Sequence, residues 1–307
     1  MEGKENIMLN EKEFYDYVKR HILEYVGDAE KKTARVQKLF KNNQVVMAAL
    51  SIGREEEHLQ PVLYLEPYYQ RYCRGRDLTE ILEQISCAYE ECNLGFALEE
   101  ERLTDYSYIR NYLFYRVVHY EKNRDLLEVC PHDRVEDLAV TYRWIAYRNR
   151  DGMASALIRK YDLEMWGIDA EQMKKEARRN TEKMFPAVIK RIENIVPVRI
   201  EEGRIPLYVL SNSDYMNGAS AMLYDKILYD FAERMEQNLY VLPSSIHEVI
   251  LLREEDAGDI SELSWMVKDT NRRVVNPEEI LSDHVYYYDR REDRIRIADG
   301  PGWTGML

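Results

Sequence analysis

The side chains best suited to chemistry lie at the ends of two apolar runs between residues 206 and 252. Each run is apolar up to its last few positions, and there it changes to uncharged or titratable polar residues. If the two runs are neighbouring strands, these polar groups could form a pocket where the strands end. The predicted ligand-binding residues are Ser211, Asn212, Asn217, Gly218, Ser244, Ser245, His247 and Glu248.

His247 is the strongest candidate for catalysis in this set. A neutral imidazole is the usual group for proton transfer near neutral pH, and Ser244 or Ser245 would be its nucleophile. The local spacing argues against a hydrolase, because on an extended strand Ser245 and His247 share a face while Glu248 points the other way. The serines also lack a Gly-x-Ser-x-Gly elbow. The sequence therefore favours a hydrogen-bonded turn with a structural His247, with a hydrolytic site as the alternative.

Asn212, Asn217 and Gly218 have two interpretations. Asparagine and glycine adopt left-handed backbone angles readily, so Asn217-Gly218 is typical of a turn. Alternatively, the two amide side chains converge on a ligand together with the backbone N–H groups of Gly218 and Ala219. Both interpretations remain open from the sequence.

Other catalytic and metal-binding patterns are missing from the sequence. It contains no glycine-rich phosphate loop and no His-Glu-x-x-His pair. The four cysteines (Cys73, Cys87, Cys92 and Cys130) have no zinc-ligand spacing, and none pairs with a histidine at such a spacing. We therefore predict neither a metal nor a cofactor, and we expect the cysteines to be reduced thiols.

Several short motifs recur in the same order in a known group of proteins. They are Lys41-Asn42-Asn43, Pro61 to Glu66, Tyr208 to Asn212, Asn217 to Ala219 and Leu242 to Glu248. In these motifs the chain resembles an uncharacterised family, a domain of unknown function from anaerobic Gram-positive bacteria. The resemblance implies a bacterial cytoplasmic protein, often encoded by an accessory gene, and it implies no activity, catalytic residue or cofactor.

The acidic charge balance of the chain argues against non-specific binding to nucleic acids. The chain has 43 basic and 56 acidic residues and a net charge of −13, so it should repel nucleic-acid backbones in non-specific contacts. The first 25 residues have no long apolar run, and no segment approaches 18 apolar residues. We therefore expect no signal peptide, no membrane span and a cytoplasmic location.

Tyrosine is used unusually often, with 24 residues against 6 phenylalanines. Clusters lie at 68–72, 106–115 and 286–288. Tyrosine suits half-buried sheet faces, where its hydroxyl stays near water, and it also suits protein interfaces. The clusters are therefore either structural or part of a partner-binding surface.

Helices and strands are predicted in mixed order, without a regular strand–helix–strand alternation. This order indicates an α+β fold with mostly antiparallel sheets and packed helices. Examples are a hairpin across Lys41 to Gln44, a helix that starts at Asp169, and a further helix over 187–195. A weak boundary separates a subdomain over residues 1–100 from a larger domain over 101–307, and a single domain is also compatible with the sequence.

Three functions are compatible with these features. The first is a non-enzymatic soluble protein that binds another macromolecule, expected to be a protein, in a regulatory or mobile-element accessory role. It is favoured by the acidic charge, the tyrosine clusters and the missing catalytic spacing. The second is a hydrolase or small-ligand-binding protein with a site around Asn212, Asn217 and His247. The third is an acidic inhibitor of a nucleic-acid enzyme.

Overall fold

The computed structural model describes residues 8–54, 60–96, 102–148, 153–195 and 205–300. The chain divides into two compact units. Unit 1 comprises Met1–Lys41, Val45–Leu103 and Ile145–Ser155, and unit 2 comprises Asn42–Gln44, Thr104–Trp144 and Ala156–Leu307. The main change from unit 1 to unit 2 lies between residues 103 and 104, and the predicted division is at residue 100. In addition, segment 42–44 belongs to unit 2 although unit 1 precedes and follows it, and segment 145–155 belongs to unit 1 although unit 2 precedes and follows it.

Unit 1 combines a three-stranded sheet with helices. Its sheet has the order β1-β2-β3, formed by β1 (Thr33–Phe40), β2 (Val46–Gly53) and β3 (Val62–Tyr64). Its helices are α1 (Glu11–His21), α2 (Glu66–Cys73) and α3 (Leu78–Phe96). One face of β2 and the apolar stripes of α1 and α3 share a core that includes Phe14, Val18, Leu50, Ile52, Ile81 and Ile85.

The other described strands form two sheets, and they belong to unit 2 except for residues 145–148 of β6 and 153–155 of β7. In the smaller sheet β6 (Leu138–Arg148) pairs with β4 (Leu113–His119), β5 (His132–Val135) and β7 (Met153–Leu157). The larger sheet has six strands in the order β13-β12-β10-β11-β9-β8. These six strands are β8 (Ala187–Arg191), β9 (Tyr208–Asn212), β10 (Leu239–Ser245), β11 (Glu248–Arg253), β12 (Tyr286–Asp289) and β13 (Arg294–Ile297).

Six helices accompany these sheets in the described part of the chain. They are α4 (Tyr106–Ile109), α5 (Arg124–Val129), α6 (Lys160–Trp166), α7 (Ala170–Met184), α8 (Ile227–Met235) and α9 (Ile260–Arg273). Helix α9 packs Leu263 and Val267 against Leu242 and Leu252 of the β10–β11 hairpin. The three sheets are antiparallel, so the predicted α+β class is confirmed.

Most predicted element starts are confirmed because they depend on local chemistry. Asn10 accepts a hydrogen bond from the Glu13 N–H, and the Glu13 carboxylate accepts one from the Asn10 N–H, which forms the predicted capping box of α1. Asp169 caps α7 in a similar way, through the N–H of Gln172. Asn43 has a φ of 59° in the predicted turn between β1 and β2. The predicted turn over 149–152 lies outside the described residues.

The predicted helix over 187–195 is wrong. Residues Ala187–Arg191 form strand β8, which pairs along its length with β9 from Ala187 opposite Asn212 to Arg191 opposite Tyr208. A short run of apolar and β-branched residues fits either element, and its periodicity cannot separate them. Pairing with β9, which is distant in sequence, decides the outcome.

The tyrosines at 286–288 are buried in the larger sheet. All three are at most 3% exposed, and each hydroxyl donates to a carboxylate: Tyr286 to Asp137, Tyr287 to Glu254 and Tyr288 to Asp293. Burial, followed by the nearby carboxylate charge, raises the pKa of the Tyr286 hydroxyl well above its ordinary value. This cluster therefore belongs to the core of unit 2.

Acid sensitivity is expected from Asp133 on β5. Its carboxylate accepts hydrogen bonds from Tyr142 at 2.5 Å and Lys174 at 2.6 Å. Burial alone would raise the Asp133 pKa, but these bonds outweigh it and hold the pKa below its usual range. The stabilisation is therefore complete above the unfolded-state pKa of about 3.9 and is lost as the pH falls through the folded-state pKa.

We expect Asp133→Asn to lower the free energy of unfolding by about 2 kcal/mol at pH 7. The loss should shrink as the pH falls below about 3.9, because the Asp133 carboxyl of the unfolded wild type then binds a proton, which favours unfolding of the wild type. Urea unfolding of both proteins at pH 7 and pH 3.5 measures this difference. An equal loss at both pH values would contradict the assignment.

Candidate functional site

The predicted site residues meet where β9 ends beside the turn of the β10–β11 hairpin. His247 lies in this turn, between Ser245 at the end of β10 and Glu248 at the start of β11. The Ser211 hydroxyl donates to the main-chain oxygen of His247 at 2.8 Å. Two segments that are far apart in sequence are therefore joined at the point where sequence analysis places a pocket.

Gly218 lies between these two segments, at a position where the surrounding atoms leave no room for a side chain. A Cβ atom at this position would overlap the Ser211 hydroxyl and would lie 2.6 Å from both the Asn212 nitrogen and the His247 main-chain oxygen. Such distances are too short for any side chain, so only glycine fits. The 3₁₀ helix that Gly218 begins, Gly218–Leu223, is also tied to the hairpin turn, because the Ala219 N–H donates to Ile246 O.

Asn212 is only 2% exposed, and its side chain forms hydrogen bonds with the main chain of the loop that follows it. Its side-chain nitrogen donates to Met216 O at 2.8 Å, and its side-chain oxygen accepts from the N–H groups of Asp214 and Met216. An amide has two donors and one carbonyl oxygen with two acceptor sites. Both acceptor sites and one donor are thus used within residues 212–216, so the side chain acts as a loop-stabilising group in this geometry.

Ser244, Ser245 and Glu248 lie in the β10–β11 hairpin itself. The Ser245 hydroxyl accepts from the His247 N–H at 3.0 Å, which closes the turn, and Ser245 is 9% exposed. Ser245 also faces Glu248 across the hairpin at a point where the register shifts. Ser244 and Glu248 are half-buried.

His247 keeps a partly exposed side chain. Its Nδ1 accepts from the Asn217 N–H at 3.2 Å, so in the neutral ring the proton is on Nε2. That Nε2 lies 3.5 Å from a carboxylate oxygen of Glu279, and about a third of each side chain is exposed (31% and 32%). This pair is the part of the predicted site that is open to a proton-transfer or ligand-binding role.

Glu279 was missed by sequence analysis. It follows the 276–277 helix start, and no spacing links it to residue 247. The structure holds it there by its main chain, because Glu279 O accepts from the Ile246 N–H at 2.8 Å. Only the tertiary contact between the 277–279 turn and the hairpin brings this carboxylate to His247.

A family model matches residues 11–290 of the chain, which is most of its length. The chain belongs to DUF5688, a family of unknown function. The predicted resemblance to a domain of unknown function is confirmed at that level, while the bacterial source and the accessory-gene role stay predictions. No curated protein and no solved structure is similar enough to this chain to match it.

A second polar network, around Asp137 and Asn271, was not predicted from the sequence; it lies within the residues that the DUF5688 model matches. Asp137, in the turn before β6, accepts hydrogen bonds from Ser282 at 2.7 Å and from Tyr286 at 2.5 Å. Asn271 of α9 donates both to Ser282 O and to the Asp283 carboxylate. The signal in the sequence was weak, since Asp137 looks like an ordinary turn residue.

His119 and Lys122 extend this network. Burial, followed by the Lys122 charge, lowers the pKa of His119, so its imidazole is neutral at pH 7, and Nδ1 accepts from the Lys122 N–H. Burial raises the pKa of Asp283, but the Asn271 hydrogen bond and the Lys122 charge outweigh it and lower the pKa overall. The polar groups largely satisfy one another, as in a structural network.

Metal ligation, membrane insertion and thiol chemistry can also be compared with the described part of the DUF5688 chain. There, no group of three or more His, Cys, Asp and Glu side chains is arranged to hold a metal ion, and no helix is long and apolar enough to cross a membrane. The four cysteines are free, and burial raises the pKa of the Cys130 thiol to about 11. Cys130 is therefore a poor thiolate nucleophile at neutral pH.

An open groove of about 660 Å³ lies between α2 and α3 in unit 1. Its walls carry both charges, including Arg71, Arg76, Glu80 and Glu83. Several of these charges are already paired along the walls, since Arg76 contacts Glu80 and Arg71 donates to Gln84. The groove contains none of the predicted site residues.

Proposed function

We propose that this protein acts by binding another protein and that helix α9 supplies the contact. The observation that carries the proposal is the exposure of two large apolar side chains on that helix, Trp265 at 66% and Met266 at 52%. Tryptophan and methionine are enriched at protein interfaces, and tryptophan is a frequent hot-spot residue. Burying either side chain against a partner would contribute about 1.5–3 kcal/mol.

The rest of α9 supports an interface over a core role for these two residues. Leu263 and Val267 already anchor the inner face of the helix in the core of unit 2. Trp265 and Met266 lie on the outer face, where each residue keeps more than half of its surface exposed. The tyrosines at 286–288 are too buried to contact a partner, whereas Trp265 is exposed.

The charge around this face indicates the kind of partner. Five carboxylates occur shortly before Trp265 in the sequence. Three of them are already bonded to residues outside α9, since Glu254 accepts from Tyr287, and Glu255 and Asp256 pair with Arg253; the other two are Asp259 and Glu262. Glu262 is three residues before Trp265 and four before Met266, so it shares their side of the helix. We propose a partner that surrounds an apolar pocket with mainly basic side chains, because the whole chain has a net charge of −13. A nucleic-acid enzyme also has a basic surface, so the separate inhibitor hypothesis is compatible with such a partner.

A small-ligand or hydrolytic site at His247 is the second candidate. It is favoured by the approach of His247 Nε2 to Glu279 and by the partial exposure of both side chains. The buried bonds of Ser211, Asn212 and Ser245 weigh against it, because these side chains serve the loops that carry them. His247 is therefore tested alongside Trp265.

The test compares immobilised variants in a lysate of the source organism. We expect one stoichiometric partner to be retained by the wild type and by His247→Ala and to be lost at least tenfold from Trp265→Ala. Retention should also fall at 1 M salt, because charged rims are screened. Tyr161→Ala is the matched control, since Tyr161 is a 57% exposed aromatic residue on α6.

The outcomes separate the candidates. A partner that Trp265→Ala retains as well as the wild type does would contradict the α9 surface. No retained partner at all would contradict protein binding and move the assignment to His247 and Glu279. The unfolding free energies of Trp265→Ala and the wild type should agree within about 0.5 kcal/mol, which excludes loss of fold as the cause.

A further inference from the structure

We propose that strand β1 accepts an extended acidic segment of a partner protein as an additional strand. The proposal deepens the proposed protein-binding function by naming a second surface and the chemistry of what it takes. Strand β1 lies at one end of the three-stranded sheet, and within the described residues it pairs only with β2. Its eight residues, Thr33–Phe40, present a second row of backbone N–H and C=O groups that another strand can match.

The charge of this edge is opposite to that of the whole chain. Residues 31–41 contain five basic side chains and no carboxylate, whereas the whole protein has a net charge of −13. These residues are Lys31, Lys32, Arg35, Lys38 and Lys41. Lys31, Arg35 and Lys38 are exposed. A strand that carries Glu or Asp would therefore be attracted to this edge, and its on-rate would rise.

An apolar anchor lies at the end of the same strand. Phe40 is 75% exposed and Val46 is 47% exposed, and the two are directly opposite in the β1–β2 register. Opposite residues in an antiparallel pair project from the same face, so these two side chains are neighbours on that face. A partner strand that continues to Phe40 could cover it with an apolar residue.

The same charges argue against a second copy of the chain as the occupant. Two β1 edges paired with each other would bring Arg35 and Lys38 side chains close to their like-charged counterparts, which destabilises a strand pair. Lysine on an edge strand is a common means of preventing self-association. Here it leaves the edge open to a strand of opposite charge.

The test uses labelled octapeptides and the full-length protein. We expect fluorescence anisotropy to show that a fluorescein-labelled peptide of alternating Glu and Val binds and that the matching Lys/Val peptide does not. Lys38→Glu should weaken binding of the Glu/Val peptide about tenfold. Lys183→Glu is the matched control, because it makes the same charge change at an exposed position of α7.

N-methylated peptides distinguish strand pairing from simple charge attraction. Alternate residues of a strand direct their N–H groups to the same edge, so methylation of one alternate set should abolish binding and methylation of the other set should not. Equal effects of the two sets would overturn strand addition. No binding of the Glu/Val peptide, equal effects of Lys38→Glu and Lys183→Glu, or preferential binding of a single-stranded oligonucleotide would overturn the proposal too.

The α9 surface is tested independently. Trp265→Ala should bind the Glu/Val peptide as tightly as the wild type does. A lysate partner that Trp265→Ala retains would contradict the α9 surface alone, whereas failure of the wild type to bind the Glu/Val peptide would contradict the β1 edge alone.

Discussion

Replacing Gly218 with alanine is expected to lower the free energy of unfolding by about 3 kcal/mol. The added Cβ would overlap the Ser211 hydroxyl and would lie 2.6 Å from two main-chain atoms, Asn212 N and His247 O. The hydroxyl could rotate away, but the main-chain atoms belong to β9 and the hairpin turn and can move only together with those elements. Urea unfolding at pH 7 measures the loss.

Gly258→Ala is the matched control for this substitution. The nearest atom to a Cβ at Gly258 is a Glu262 carboxylate oxygen at 3.8 Å, which is an ordinary contact. We expect this variant to change the free energy of unfolding by less than about 1 kcal/mol. If Gly218→Ala is equally mild, the space around Gly218 is larger than the structure indicates, and a ligand could enter it.

Asp137→Ala is expected to cost about 3 kcal/mol as well. The substitution removes the acceptor of two buried hydroxyls, because Tyr286 is 1% exposed and Ser282 is 0% exposed. A buried donor that loses its partner keeps the full cost of its desolvation, about 1–3 kcal/mol each. Urea unfolding again supplies the measurement, with the exposed Asp225→Ala as the control.

A double-mutant cycle checks the cause of that loss. Tyr286→Phe removes one hydroxyl and one hydrogen bond together, so alone it should cost only about 1 kcal/mol. In the Tyr286→Phe background Asp137→Ala should cost less than in the wild type, since one unsatisfied donor is already gone. Strictly additive losses would show that the Asp137–Tyr286 hydrogen bond is energetically unimportant.

These two predictions bear on the candidate site. Gly218 lies inside the predicted pocket, and its expected effect arises from close packing. Asp137 lies outside that pocket, in a network that links the turn before β6 with the segment that leads into β12. The largest expected effects therefore come from residues that hold unit 2 together, whereas the candidate functional groups of unit 2, His247 with Glu279 and Trp265 with Met266, are partly exposed.

Features that depend on neighbouring residues can be predicted from the sequence alone. Capping at Asn10 and Asp169, the β1–β2 hairpin and the α+β class all follow from periodicity and from side chains a few positions apart. The sequence also indicates that the ends of the runs at 206–213 and 238–248 could come together, because successive apolar runs tend to pair in one sheet.

Tertiary structure decided the features that depend on distant residues. Ala187–Arg191 is a strand because β9 pairs with it, Glu279 reaches His247 because the hairpin turn binds its main chain, and Tyr286 is buried with Asp137 as its acceptor. Side-chain identity fixes which bonds a residue can make, but only the packed fold fixes which partner is within reach. The same reason explains Trp265: periodicity places it on a helix, and the exposure of that face depends on what packs against the helix.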